Sequence, residues 1–210
     1  MNKEDFYIFT PGPVRMPKYV LEEGSKQIPY FRTTSFSKIM LDCESMLLDL
    51  LNAKKGTRVL FLAASGTGAM EAVVTNLLSG DDNSFIVNGG SFGQRFVDIC
   101  KLHGLKYIDH KLDYGSSFKV TSLFDNKTKI SSVIVNGNET STGVLYDLNG
   151  IGQFCKSNGS LFIVDAISMF LTDPLDMDEM GIDAVILSSQ KGLALPPGLS
   201  MIVLSEKAQK

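Results

Sequence analysis

The chain has 210 residues, of which 44% are hydrophobic and 20% charged, with a formal net charge of −3 at pH 7. Such a length can bury roughly 70% of its unfolded surface in a core without disulfide or metal staples, and the composition is that of a globular protein, not a disordered or membrane one. The acidic balance, with a pI near 5.4, argues against nucleic acid as the main partner, because phosphate backbones are held by an excess of lysine and arginine.

Cys43, Cys100 and Cys155 are odd in number and widely spaced in apolar or helix-like surroundings. They read as reduced core thiols, and no zinc or other metal site is expected. No apolar run approaches the roughly 18 residues of a membrane span, and MNKEDFYIFTPGP has no signal-peptide core, so a cytoplasmic location and no membrane partner are expected.

Residues 1–37 read as an irregular, partly extended arm, with a fixed turn at Thr10-Pro11-Gly12-Pro13. Ile39, Met40, Cys43, Met46, Leu47, Leu50 and Leu51 then recur at helix-face spacing, with Ser35 or Ser37 as N-cap and an end near Asn52. Arg58 to Ala63 reads as a buried strand. Ser65-Gly66-Thr67-Gly68 turns it into a helix whose apolar face is Ala69, Met70, Val73, Val74, Leu77 and Leu78. Strand Phe85–Val87, helix Phe92–Leu102 and strand Lys106–Ile108 follow, then a short helix near Thr121–Phe124, strand Ser132–Val135 and helix Leu148–Lys156 closed by Gly159. Strands Leu161–Val164, Ala184–Leu187 and Ser200–Leu204 complete the series. Strands separated by helices need crossovers, so the fold class is α/β with a mostly parallel central sheet covered by helices on both faces. Ser205-Glu206-Lys207-Ala208 has the composition of a helix start with no room to continue before Lys210, which fits either a frayed tail or a truncated chain.

Five loops follow five of these strands. Ser65, Gly66 and Thr67 would aim backbone N–H groups and a helix dipole at one point, an anion site, although a tight strand-to-helix turn needs glycine anyway. Asp165 ends the apolar run Leu161–Val164, where a carboxylate is costly unless a cation or several donors meet it; a cap or turn role is the plainer alternative. Lys191 ends a similar run and is either a surface lysine or a partly desolvated nucleophile and base. Phe92 is either core or a stacking face. Asn138-Glu139-Thr140-Ser141-Thr142-Gly143 is either a polar turn or a set of donors. His103 and His110 show no nucleophile or metal spacing. An anchored phosphate, a stacked ring, a carboxylate and a lysine converging on one sheet edge are together what pyridoxal phosphate requires.

The motifs TPGP, ASGTGAMEA, NGGSFGQRF, NETSTGVL, VDAIS and SSQKGLALPPGLS, in this order, resemble the class V aminotransferases of the fold type I pyridoxal-phosphate enzymes, from Thr10 to about Ser205. The resemblance implies that Lys191 carries pyridoxal 5'-phosphate as a Schiff base and Asp165 pairs with its pyridine nitrogen. It also implies that Ser65, Gly66, Thr67 and Gln190 hold the phosphate, Phe92 and Ile167 flank the ring, and Thr140 lies near the ring oxygen. Pro11 and Gly12 would line the substrate pocket. The implied reaction moves an amino group from a small amino acid or aminophosphonate to a 2-oxo acid in a homodimer. A lyase or desulfurase on the same fold, or a catalytically incompetent cofactor-binding or dimerisation module, are the alternatives. Two departures bear on the substrate: Phe31-Arg32, and Asn136 and Asn138, stand where relatives commonly carry histidine. The expected organisation is an arm (1–37), a cofactor-binding large domain (38–205) and the start of a connecting helix (206–210), with a carboxy-terminal small domain absent.

Overall fold

Every apolar run read as a strand becomes one, and alternation of side chains along these strands divides the core into two layers. A computed structural model describes residues 7–126 and 128–210; the first six residues of the expected arm and Lys127 lie outside them. The strands are β1 (Arg58–Leu62), β2 (Ser84–Asn88), β3 (Tyr107–Lys111), β4 (Ser132–Asn136), β5 (Asn138–Glu139), β6 (Val144–Leu145), β7 (Leu161–Asp165), β8 (Ala184–Ser188) and β9 (Ser200–Leu204). Seven form one sheet in the order β1-β9-β8-β7-β4-β2-β3, and β5 and β6 form a separate ribbon. The pairings β2–β3, β2–β4, β4–β7 and β7–β8 are parallel, whereas β9 is antiparallel to both β8 and β1.

The helices are α1 (Lys18–Gly24), α2 (Thr34–Leu50), α3 (Gly66–Leu77), α4 (Ser91–Leu102), α5 (Thr121–Phe124) and α6 (Leu148–Asn158). Phe85, Val87, Val133, Val135, Phe162, Val164, Val185 and Leu187 join Ile151, Phe154 and Leu47 in one layer. Ile86, Ile134, Ile163, Ile186 and Ile202 point the other way, onto Ala69, Met70, Val73 and Val74 of α3 and Phe96 and Cys100 of α4. Central strands buried on both faces explain why they read as continuous apolar runs rather than alternating ones. Among the described residues, no helix is long and apolar enough to cross a membrane.

Four readings of the sequence are corrected. The arm is not wholly irregular, since α1 forms within it, although none of its residues is buried. The N-cap of α2 is Thr33, whose hydroxyl accepts from Phe36 N at 3.2 Å, not Ser35 or Ser37. Strand β1 is not buried: it lies at the sheet edge, and Val59 alone of its five residues is covered. Cys43 is only half-buried, because α2 covers the sheet at its last turns and leaves Ile39, Leu41 and Met46 exposed. Cys100 and Cys155 are core thiols, and burial pushes them up to about 11 and about 12.

Thr33→Ala should therefore cost about 1 kcal/mol. The loss should show as faster amide exchange over residues 34–38 and a small drop in urea midpoint, since the first turns of α2 have little packing to hold them once uncapped.

Candidate functional site

Two antiparallel steps, β8 to β9 and β9 to β1, return β1 to the direction of β8. The carboxyl ends of β1, β2, β4, β7 and β8 therefore share one edge, where open α/β sheets place their ligands. Each residue singled out after a strand follows one of these ends, and a chain of contacts links them.

Asp165 is the last residue of β7 and is buried. Its register partner on β4 is Asn136. Asn136 Nδ2 donates to Asp165 Oδ2 at 2.6 Å, and the Ile167 amide donates to Oδ1 at 2.9 Å. Burial raises the carboxyl pKa, against the Ile167 N–H, the Asn136 amide and the charge of Lys191, while Glu139 adds to the rise. Two donors do not saturate a carboxylate, which has roughly four lone-pair sites. Asn136 Oδ1 is buried with no partner among the described residues.

Lys191 follows β8 across Ser189-Gln190. Its Nζ donates to Ser168 Oγ at 2.5 Å and to Thr140 Oγ1 at 3.5 Å, and sits 5.5 Å from the Phe92 ring centroid. The Thr140 and Ser168 hydroxyls also bond to each other. Desolvation lowers the amine's pKa, and the charges of Asp165 and Glu139 oppose that fall. A partly desolvated lysine keeps more of its neutral, nucleophilic form than a surface lysine does.

The other predicted residues close around this pair. Ser65 caps α3, its Oγ accepting from Gly68 N at 3.2 Å. Gly66 lies so near Ile167 that a Cβ on it would meet Ile167 Cδ1 at 2.5 Å. Thr67 Oγ1 accepts from Arg95 Nη1 at 2.9 Å, and Arg95 Cζ stands 4.9 Å from the Phe92 ring centroid. Gln190 Oε1 accepts from Ser188 Oγ at 2.6 Å. The arm reaches the lysine: Val14 N donates to Gln190 O at 3.0 Å, and a Cβ on Gly12 would lie 2.6 Å from Lys191 Cγ. Pro11, beside it, is exposed.

Sequence reasoning missed Ser168, Arg95 and Glu139, and read Asn136 only as a departure bearing on the substrate, not as a partner of Asp165. Asn136 carried the same signal as Asp165, a polar residue closing an apolar strand. Ser168 and Arg95 lie within the VDAIS and NGGSFGQRF stretches, but nothing singled them out there, because they reach the site from a turn and from the second turn of a helix. Glu139 was read only as part of a polar stretch, although it is fully buried.

The family model described as "Aminotransferase class-V" matches residues 7–210. A soluble hydrogenase small subunit from Synechococcus sp. is 36% identical over 207 residues, covering 96% of this chain and 53% of that protein. Serine–glyoxylate aminotransferase from Hyphomicrobium methylovorum is 32% identical over 209 residues, covering 96% of this chain and 51% of that protein. The crystal structure of a subgroup IV aspartate aminotransferase from Thermus thermophilus superposes with a TM-score of 0.90 at 31% identity, covering 97% of this chain and 58% of that one. The chain thus spans about half the length of the curated relatives it matches. With the family model matching residues 7–210, nearly its whole length, the chain belongs to the class-V aminotransferase family.

Proposed function

We propose that the chain forms the cofactor-binding part of a pyridoxal-phosphate-dependent aminotransferase that moves an amino group from a small amino acid or aminophosphonate to a 2-oxo acid, with the cofactor attached at Lys191. The observation that carries this reading is the pairing of a half-buried amine, bracketed by Thr140, Ser168 and Phe92, with a buried carboxylate that has acceptor capacity to spare. The donor set fits the cofactor. Asp165 would take the pyridine N–H, the amides at the start of α3 with Ser65, Gly66, Thr67 and Gln190 would take the phosphate, and Thr140 would meet the ring oxygen. Asn136 Oδ1 offers a further acceptor. Phe92 and Ile167 would flank the ring, whose chemistry when bound is to withdraw electrons from the carbon bearing the substrate amine.

The protein's own groups then divide the work. Asp165 holds a proton on the ring nitrogen through a charge-assisted hydrogen bond, which a neutral residue would hold less firmly. The Lys191 amine, whose pKa desolvation lowers, would be freed when the substrate amine displaces it, and would then carry the proton from the substrate carbon to the cofactor carbon that bore it. Gly12 and Pro11 wall the substrate side. Residues 1–37 and 38–205 serve as arm and large domain, followed by the segment 206–210. Apolar residues exposed along α2 and the arm, including Ile39, Leu41, Met46 and Phe9, support a homodimer. The absence of a membrane-spanning helix among the described residues is compatible with a cytoplasmic setting.

Borohydride reduction after addition of pyridoxal phosphate, followed by peptide mapping, should place the adduct on Lys191 and lose it in Lys191→Ala. Label on other lysines, undiminished in the variant, would sink the assignment. Transfer of an amine to an added 2-oxo acid separates this reading from elimination or desulfuration.

A further inference from the structure

Among the described residues, α4 begins without a cap of its own: Gly90 precedes it and offers no side chain. Its first amides are instead satisfied across space. Glu139 Oε2 accepts from Phe92 N at 3.2 Å and Gly93 N at 2.9 Å, and Oε1 accepts from Ser141 Oγ at 2.7 Å and Ser141 N at 3.2 Å. Ser141 Oγ in turn accepts from Ser91 N at 2.9 Å. The fit requires glycine at 90, where a Cβ would lie 2.6 Å from Glu139 Cγ and Cδ. A carboxylate at this point is also favoured by the helix dipole.

A cap could be supplied by many residues, yet this one is a fully buried carboxylate at the candidate site. The residue whose amide it holds, Phe92, presents its ring to the Lys191 amine, and the residue that follows it, Thr140, touches the same amine. Building on the cofactor site described above, we propose that Glu139 is a positioning residue that fixes the Phe92 ring against the cofactor and supplies a second negative charge, beside Asp165, to the Lys191 amine. Among the described residues, the charges acting on that amine include Asp165 on β7 and Glu139 on β5, and Arg95 on α4 stands over the Phe92 ring. Desolvation lowers the Lys191 amine against the Asp165 and Glu139 charges, and burial raises the Asp165 carboxyl with the Glu139 charge adding to that rise.

Two substitutions separate the two roles. Glu139→Gln keeps size and one acceptor oxygen but removes the charge, so the Lys191 titration midpoint should fall. This is read on the apo chain by side-chain NMR of labelled lysine, with the signal assigned by its loss in Lys191→Ala. Glu139→Asp keeps the charge but withdraws it by one methylene from the Phe92 and Gly93 amides. The Lys191 midpoint should hold while pyridoxal phosphate binding, followed by absorbance, weakens about tenfold.

A folded Glu139→Gln whose Lys191 midpoint stays or rises leaves Glu139 as a cap only and overturns the proposal. Wild-type cofactor affinity in Glu139→Asp does the same for its hold on Phe92, and that measurement decides the point even if the glutamine variant does not fold. Should the borohydride adduct map away from Lys191, the cofactor reading fails, but the apo midpoint shift still reports on the Glu139 charge.

Discussion

Asp165→Asn is expected to weaken pyridoxal phosphate binding by about 30-fold to 3,000-fold, the usual cost of neutralising one member of a buried hydrogen-bonded charge pair. The same change should leave the apo chain as stable as before, or more so. Asparagine nearly matches aspartate in shape and can still accept from the Ile167 amide, but it carries no charge to desolvate. The sign of the pH dependence follows from the raised carboxyl pKa. A carboxyl that prefers its proton in the folded state contributes stability that is full below the unfolded value, about pH 4, and is lost as pH rises through the folded value. The excess urea midpoint of the apo wild type over Asp165→Asn should therefore fall across that window, the contributions of the other shifted groups being common to both. Unchanged cofactor affinity in the variant would remove Asp165 from the site. A stability loss in the apo form would mean that the carboxylate serves the fold rather than the ligand.

Gly192→Ala should be the more damaging change to the framework. A Cβ there would stand 2.1 Å from Phe170 O and 3.2 Å from Leu171 Cβ, so the backbone itself must move. Leu171 already holds a left-handed conformation, φ 65°, which leaves that turn little freedom to yield. Overpacking against main chain should cost about 2–3 kcal/mol, or roughly 5–10 °C in Tm. The functional loss should exceed what that destabilisation explains. The turn that resists the methyl group also carries Ser168, so pushing residue 192 away draws Lys191 from its hydroxyl partner. Thermal unfolding together with borohydride labelling checks both halves. Full labelling of Lys191 at an unchanged Tm would show that the close approach has no role.

The strands and helices were legible because burial on both faces writes long apolar runs and amphipathic faces at their own periods. Leu161–Val164 and Ala184–Leu187 are examples, each extended by one polar residue in the structure. That extra residue is where the site begins, which is why Asp165 could be picked out as a charge with no reason to be there. Strand β1 was misread because an edge strand can carry apolar residues that a sheet leaves half covered. Arg95 and Ser168 lay within the NGGSFGQRF and VDAIS stretches, yet their roles were illegible for a different reason. Their meaning lies in partners 28 and 23 residues away in sequence, Thr67 and Lys191, and no local pattern records such a meeting. The β5–β6 ribbon was hidden in a stretch whose hydroxyls and glycine read equally well as a turn.

The hydrogen bond from Val14 to Gln190 ties an early stretch of the chain to the loop of the reactive lysine. Strand β1, likewise, has its only sheet neighbour among the described residues in β9. Closing loops this long carries a large entropic cost before any contact repays it, and folds dominated by such contacts form slowly. During synthesis the amino-terminal arm must wait for almost all of these residues to leave the ribosome before it can settle. If the cofactor is held as proposed above, its site cannot form until β8 and Lys191 have been made, and a nascent chain stalled before β8 would expose the unpaired edge of β7.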